Sequence, residues 1–236
     1  IMLQIPHTKQ EMTDIIVDTV EKNKVMNAYI RVVVSRGPGD LGLDPRNCEA
    51  PTVIVIVEEL AIYAKELYEN GLKVASVPNR RSSPDVLNPQ IKSLNYLNNI
   101  LVKLSSVQSG ADEALILNNQ GFVTEGSADN IFIVKNDVIK TPPVYLGALE
   151  GITRNAIIEI IKEKGYSFEE VPFTLHDVYI ADEVFLTGTA AEVIPVVIVD
   201  ERSIGNGKPG TITSELLQAF REKTLTDGVR CYSEKA

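Results

Sequence analysis

The chain has 236 residues, 44% hydrophobic and 23% charged, and a formal net charge of -9 at pH 7. That length allows one large domain or two modest ones with a sizeable core. The acidic balance excludes nucleic acid as the main partner and an anionic membrane surface as a dock, because both need basic patches. Cys48 and Cys231, far apart in sequence, offer no metal-ligand spacing and no disulfide framework, and read as two reduced thiols of a cytoplasmic protein. The apolar run from Thr52 to Val57 is too short to cross a bilayer. No signal peptide is read at the start, where residues 1–6 resemble the end of one element running into the next.

The spacing of Met12, Ile15, Ile16 and Val20 predicts a helix over residues 8–23, with Thr8 available as its cap. Residues 28–35 are rich in β-branched side chains and read as a strand, and 52–57 as a second strand buried on both faces. Between them, 36–51 is a Gly-, Pro- and Asp-rich loop long enough to suggest a function. Residues 58–70 read as a connector, partly helical. A second block follows. Strands are predicted at 72–77, 113–117, 122–124, 130–134, 183–186 and 193–199. A polar loop covers 79–89, and Asn118-Asn119-Gln120-Gly121 is hairpin chemistry. Helices are predicted at 95–109, with Leu97, Ile100, Leu101 and Leu104 on the apolar side, at 152–164, closed by Gly165, and at 214–223. Strands and helices mix without strict alternation, which favours an α+β fold over a doubly wound sheet.

Four short segments could carry chemistry. Lys92, in Ile91-Lys92-Ser93-Leu94-Asn95-Tyr96, stands between a Pro-rich loop and a helix start; in an apolar pocket such a lysine becomes a usable nucleophile or Schiff-base former. Glu125, in Thr124-Glu125-Gly126-Ser127-Ala128-Asp129-Asn130, is a carboxylate at the end of a short strand, able to pair with a protonated ring nitrogen. Gly151-Ile152-Thr153 opens a helix with free backbone N–H groups and a hydroxyl, a setting for phosphate. Thr187-Gly188-Thr189-Ala190-Ala191 ends a strand in small residues that let an anion approach backbone. Taken singly, a surface lysine, a solvated acidic loop, an ordinary cap and a common turn explain each of them as well. His176 reads as structural, and no metal site is indicated.

Together and in this order the four segments resemble the fold-type IV pyridoxal-phosphate (PLP) enzymes, most closely the branched-chain amino acid aminotransferases. The resemblance covers essentially the whole chain. It implies a truncated small domain over 1–57, a connector over 58–66 and a larger pseudo-barrel, PLP-binding domain over 67–236. It implies that Lys92 forms the Schiff base with pyridoxal 5'-phosphate and shuttles the substrate proton. Glu125 would face the pyridine nitrogen, and Tyr96 the ring hydroxyl. Ile152, Thr153, Gly188 and Thr189 would hold the phosphate, and the Thr189-Ala190 peptide the substrate carboxylate. Tyr29 and Arg31, in Ala28-Tyr29-Ile30-Arg31, would line the substrate side, and Leu43 would form an apolar wall that suits Leu, Ile and Val side chains.

The implied reaction is ping-pong amino transfer from a branched-chain L-amino acid to 2-oxoglutarate, in amino-acid biosynthesis, by a homodimer or larger assembly whose loop 36–45 reaches a neighbouring subunit. D-amino acid aminotransferases and aminodeoxychorismate lyases also resemble the chain around Lys92 and stay open. The family pattern further includes first strands of the small domain and a phosphate-gripping arginine that nothing here matches, which leaves a catalytically impaired fragment open as well.

Overall fold

A computed structural model describes residues 1–59 and 63–232. It divides into two compact units, Ile1–Ala61 with Asp227–Ala236, and Ile62–Thr226. The division falls inside the connector placed at 58–66, and residues 60–62 of that connector lie outside the described residues. The C-terminal residues, read from sequence as part of the larger domain, belong to the first unit.

The first unit contains helix α1 (Lys9–Asn23) and strands β1 (Tyr29–Ser35) and β2 (Thr52–Glu58). Thr8 caps α1 as predicted: its hydroxyl accepts the Glu11 N–H, and the Glu11 carboxylate accepts the Thr8 N–H at 2.7 Å. The strands pair antiparallel from Tyr29–Glu58 to Ser35–Thr52. Burial of β2 on both faces is corrected. Val53, Val55 and Val57 are partly covered, whereas Ile54 and Ile56 are exposed. A two-stranded ribbon gains cover only on the face that meets α1, so burial alternates with the period of the pleat.

The second unit holds, in chain order, α2 (Lys65–Asn70), β3 (Leu72–Arg80), α3 (Pro84–Leu87), α4 (Leu97–Gln108), β4 (Glu113–Leu117), β5 (Val123–Gly126), β6 (Asn130–Lys135), β7 (Val138–Thr141), α5 (Ile152–Glu163), β8 (Ser167–Glu170), α6 (Leu175–Tyr179), β9 (Glu183–Gly188), β10 (Glu192–Val199), β11 (Arg202–Ser203) and α7 (Thr211–Thr226). The pairings β3–β4, β4–β5, β5–β6, β6–β9, β9–β10 and β10–β3 return to their start, so six strands close into a barrel. Two further strands, β7 and β8, extend from β6, and β11 extends from β10. The α+β class and the pseudo-barrel of the sequence reading are both present.

Alternation along the strands separates inside from outside. Leu115, Leu117, Ile131, Ile133, Val184, Leu186, Ile194 and Val196 form one buried cluster. Their neighbours Phe132, Val134, Phe185 and Val193 form a second cluster with Ile157, Ile161 and Leu216 of α5 and α7. A small third cluster joins Val77, Ala114 and Ile116 to Val102 of α4. That cluster shows which side of α4 meets the barrel. Its apolar residues Leu97, Ile100, Leu101 and Leu104 are exposed, and the covered side carries Val102 and Ser106. The helix meets the barrel through its narrower face because only three small or branched side chains wait beneath it.

Candidate functional site

Antiparallel pairing puts directly opposed residues on one face of a sheet. The register aligns Ile116, Glu125, Asn130, Thr187 and Val193 on five neighbouring strands, β4, β5, β6, β9 and β10. The outer two are apolar core residues, while the middle three are polar and at most 6% exposed. A polar row in an apolar wall must find partners. One Glu125 oxygen takes Nη2 of Arg81 at 2.6 Å, and the other accepts the Leu149 N–H at 2.8 Å and the Asn130 amide at 3.5 Å. The Asn130 amide also donates to the Leu149 carbonyl at 2.8 Å. The Thr187 hydroxyl, 1% exposed, has no partner at all, the sole such buried side-chain atom among the described residues. Burial raises the Glu125 carboxyl; the Arg81 guanidinium, the Leu149 N–H and the charge of Lys92 all oppose that rise.

Beside this row α5 begins. Gly151 is its cap and offers no side chain, so the N–H groups of the first turn remain available. The Thr153 hydroxyl side chain is buried while Ile152 is exposed. A Cβ at Gly151 would stand 2.2 Å from Oδ1 of Asn130, and one at Gly188 would stand 2.2 Å from Oδ1 of Asp129. A Cβ at either glycine would force the neighbouring side chain to move. Free helix N–H groups, an orphaned hydroxyl and two glycine floors form a cradle for an anion, and the buried carboxylate at the other end of the row suits a cationic ring nitrogen. These residues fit pyridoxal phosphate.

Arg81 holds the parts in place. Its backbone N–H extends the β3–β4 ladder to the Leu117 carbonyl at 2.9 Å. Its Nε donates to the Gly147 carbonyl at 3.2 Å, and Nη1 to Oδ1 of Asn98 on α4 at 3.3 Å. Lys92 lies in the loop between α3 and α4, with its charge felt at Glu125. In this chain by itself, Lys92, Ile91 and Leu94 are exposed. Tyr96, at the start of α4, is 40% exposed.

The structure thus groups Lys92, Glu125, Ile152, Thr153 and Gly188 about one wall of the barrel, with Thr189 and Ala190 in the turn from β9 to β10. Tyr29 and Arg31 sit two residues apart on β1, the guanidinium 5.9 Å from the ring centroid, and Leu43 is fully exposed in the loop before β2. These three belong to the first unit. Sequence reasoning missed Arg81, Asn130 and Thr187. Asn130 stood inside a quoted motif without a role, and the tandem Arg80-Arg81 after an apolar strand was the signal for Arg81.

Comparison with known proteins shows the family and the fold. Residues 1–199 match the family model of amino-transferase class IV. A Methanocaldococcus jannaschii protein, provisionally named as a branched-chain-amino-acid aminotransferase, is 49% identical over 98% of this chain and 80% of its own length. The branched-chain-amino-acid aminotransferase of Pseudomonas aeruginosa is 38% identical over 92% of this chain and 71% of its own. Among solved structures, a branched-chain amino acid aminotransferase from the source abbreviated T.th., with pyridoxamine 5'-phosphate, superposes with a TM-score of 0.88 at 36% identity, over 93% of this chain and 72% of that one.

Proposed function

Because the chain belongs to the class IV aminotransferases, enzymes that use pyridoxal phosphate, we propose that it transfers the amino group of branched-chain L-amino acids to 2-oxoglutarate, with Lys92 as the cofactor-bearing lysine. The observation that carries the reading is the buried row Glu125–Asn130–Thr187, which leads from an ion-paired carboxylate to a partnerless hydroxyl beside the start of α5. Relatives named for branched-chain substrates support the choice of amino acid.

The chemistry supplied by bound pyridoxal phosphate is an electron sink that weakens the Cα–H bond of an amino acid. Everything else falls to this chain. Glu125, paired with Arg81, would hold the ring nitrogen in its protonated form and so keep the sink effective. The N–H groups at Ile152 and Thr153, the Thr153 hydroxyl, Gly188 and Thr189 would hold the phosphate, each as a charge-assisted contact. Tyr96 would face the ring hydroxyl. Nζ of Lys92 takes the proton from the substrate Cα and returns it. The Thr189–Ala190 peptide receives the substrate carboxylate. By resemblance alone, Tyr29, Arg31 and Leu43 select the side chain. The working form is a homodimer or larger homo-oligomer, placed in the cytoplasm. Two free thiols agree with that compartment, and no helix among the described residues is long and apolar enough to cross a membrane.

The test is a pyridoxal phosphate titration of the chain and of Lys92→Ala, followed by visible absorbance, borohydride reduction and peptide mapping. A band lost in the variant, with the trapped adduct on Lys92, is the expected result. An adduct on another lysine, or none, refutes the assignment. Turnover of L-leucine with 2-oxoglutarate then supports the substrate. D-alanine turnover, or pyruvate release from aminodeoxychorismate, would replace it.

A further inference from the structure

We propose that Asp129 binds the substrate's α-carboxylate as a neutral acid, its carboxyl group leaning on Tyr63 and donating a hydrogen bond toward the turn at Gly188–Ala191. The inference rests on the proposed function in one respect, the placing of that carboxylate at Thr189–Ala190.

The geometry begins with register. Asn130 pairs with Thr187 at the end of the β6–β9 ladder, and the next residues along, Asp129 and Gly188, approach each other closely. Oδ1 of Asp129 occupies the space of any Cβ at 188, so a side chain there would have to push the carboxyl aside. Asp129 is 8% exposed. Its Oδ1 receives no donor from the described residues, and its Oδ2 meets only the Tyr63 hydroxyl, at 3.4 Å.

Proton counting decides the charge state. The same Tyr63 hydroxyl lies 3.3 Å from Oε2 of Glu113, and one O–H cannot serve two carboxylates at once. Glu113 is otherwise well supplied: Nζ of Lys103 at 2.8 Å, the Ala114 N–H at 2.7 Å and the Ser127 N–H at 3.0 Å. Asp129 has no such support. A buried carboxylate with one long, shared hydrogen bond is costly, and a proton is the donor at hand. The charged neighbours agree. On β4, Glu113 repels a second negative charge. On α4, Lys103 spends its ammonium on Glu113 and the Asp112 carbonyl. On β5, Glu125 faces Arg81. On α2, Tyr68 gives its hydroxyl to the Ala191 carbonyl at 3.2 Å. Burial, with Glu113 second, pushes Asp129 up to about 7 against the pull of Lys103 and Tyr63.

A neutral acid at the base of that turn attracts a carboxylate, and the ionised form repels it. Binding at a pH above Asp129's own value must therefore take up a proton, and affinity for a carboxylate falls roughly tenfold per pH unit there.

The experiment uses the holoenzyme, with 4-methylvaleric acid, leucine without its amino group, as an unreactive probe. Calorimetric titrations at about pH 6 and 8.5, in buffers of different ionisation heat, count the protons taken up. The expected result is uptake approaching one proton at the higher pH in the unmodified enzyme. That uptake is absent in Asp129→Asn, whose affinity loses the Asp129 share of its pH dependence. Equal uptake in both proteins overturns the proposal. So does the absence, in the infrared spectrum of the unmodified enzyme, of a protonated carboxyl band that titrates near neutrality, a readout that needs no variant to fold. Trapping on Lys92 in the same samples separates the two readings. With the Lys92 adduct present and no Asp129 effect, only this inference fails; with no adduct, the carboxylate site and this inference fall with the function.

Discussion

Arg81 joins β3 to three other parts of the second unit through one guanidinium: Glu125 on β5, the Gly147 carbonyl before α5, and Asn98 on α4. Both members of the ion pair are under 10% exposed. Removing one partner of such a pair strands the other, at a cost of about 3 kcal/mol. Arg81→Met leaves burial as the dominant influence on Glu125, so the folded-state value rises further above the ordinary carboxylate value. A carboxyl raised on folding loses stability as pH climbs from its unfolded value toward its folded one. The deficit of Arg81→Met, measured by denaturant unfolding, is therefore expected to be larger at pH 8 than at pH 5. Glu125→Gln in the same background should flatten it. An equal deficit at both pH values would show that Glu125 carries no charge against Arg81. Nothing local in the sequence distinguishes buried Arg81 from its exposed neighbour Arg80. The register shift in β3 between Ser76 and Arg80 decides which of the two turns inward, and that is a property of the sheet.

At the scale of an element, α5 was the most legible part of the site, because local signals bracket it: a glycine before its first turn and Gly165 after its last. The two glycines have different physical reasons, and matched substitutions separate them. Gly165 adopts φ +75° with open space around its missing Cβ, so Gly165→Ala should cost about 1 kcal/mol of stability through backbone strain and leave cofactor affinity unchanged. Gly151 has an ordinary φ of -71°, but a Cβ there collides with Oδ1 of Asn130. Gly151→Ala should displace the amide that bridges Glu125 and Leu149, and weaken pyridoxal phosphate binding by roughly tenfold, the equivalent of ~1.4 kcal/mol. Visible titration of the two variants side by side checks this; equal affinities would remove Asn130 and Gly151 from the cradle. By contrast the apolar side of α4, with Leu97, Ile100, Leu101 and Leu104, is not the side that the barrel covers. A 3.6-residue period shows that a helix has an apolar face, but not which surface meets that face.

For the molecule as a whole, the second unit's central sheet closes on itself and the first unit's does not. Closure depends on the parallel pair β10–β3, which brings Val196 beside Leu72, a meeting that no local pattern encodes. A closed ring leaves none of its six strands with a free edge, and its two faces carry the large buried clusters. The first unit is a two-stranded ribbon under one helix, the kind of structure that is marginal alone. Its C-terminal residues add to it: the Tyr232 hydroxyl lies 3.1 Å from the Val20 carbonyl and 2.7 Å from that of Val25, tying the end of α1 and the residue beyond its cap. A phenol O–H can donate fully to only one of them, so Tyr232→Phe should cost about 1 kcal/mol. Stabilities this unequal should appear as two steps in denaturant, the first from the ribbon and its helix. Amide hydrogen exchange resolved by residue measures both effects. Protection in α1 should fall roughly fivefold in Tyr232→Phe, the factor that 1 kcal/mol represents, while β4, β6 and β9 keep theirs. A loss spread evenly over α1 and the barrel strands would mean that the chain opens as one cooperative body, and that Tyr232 stabilises the whole and not the first unit.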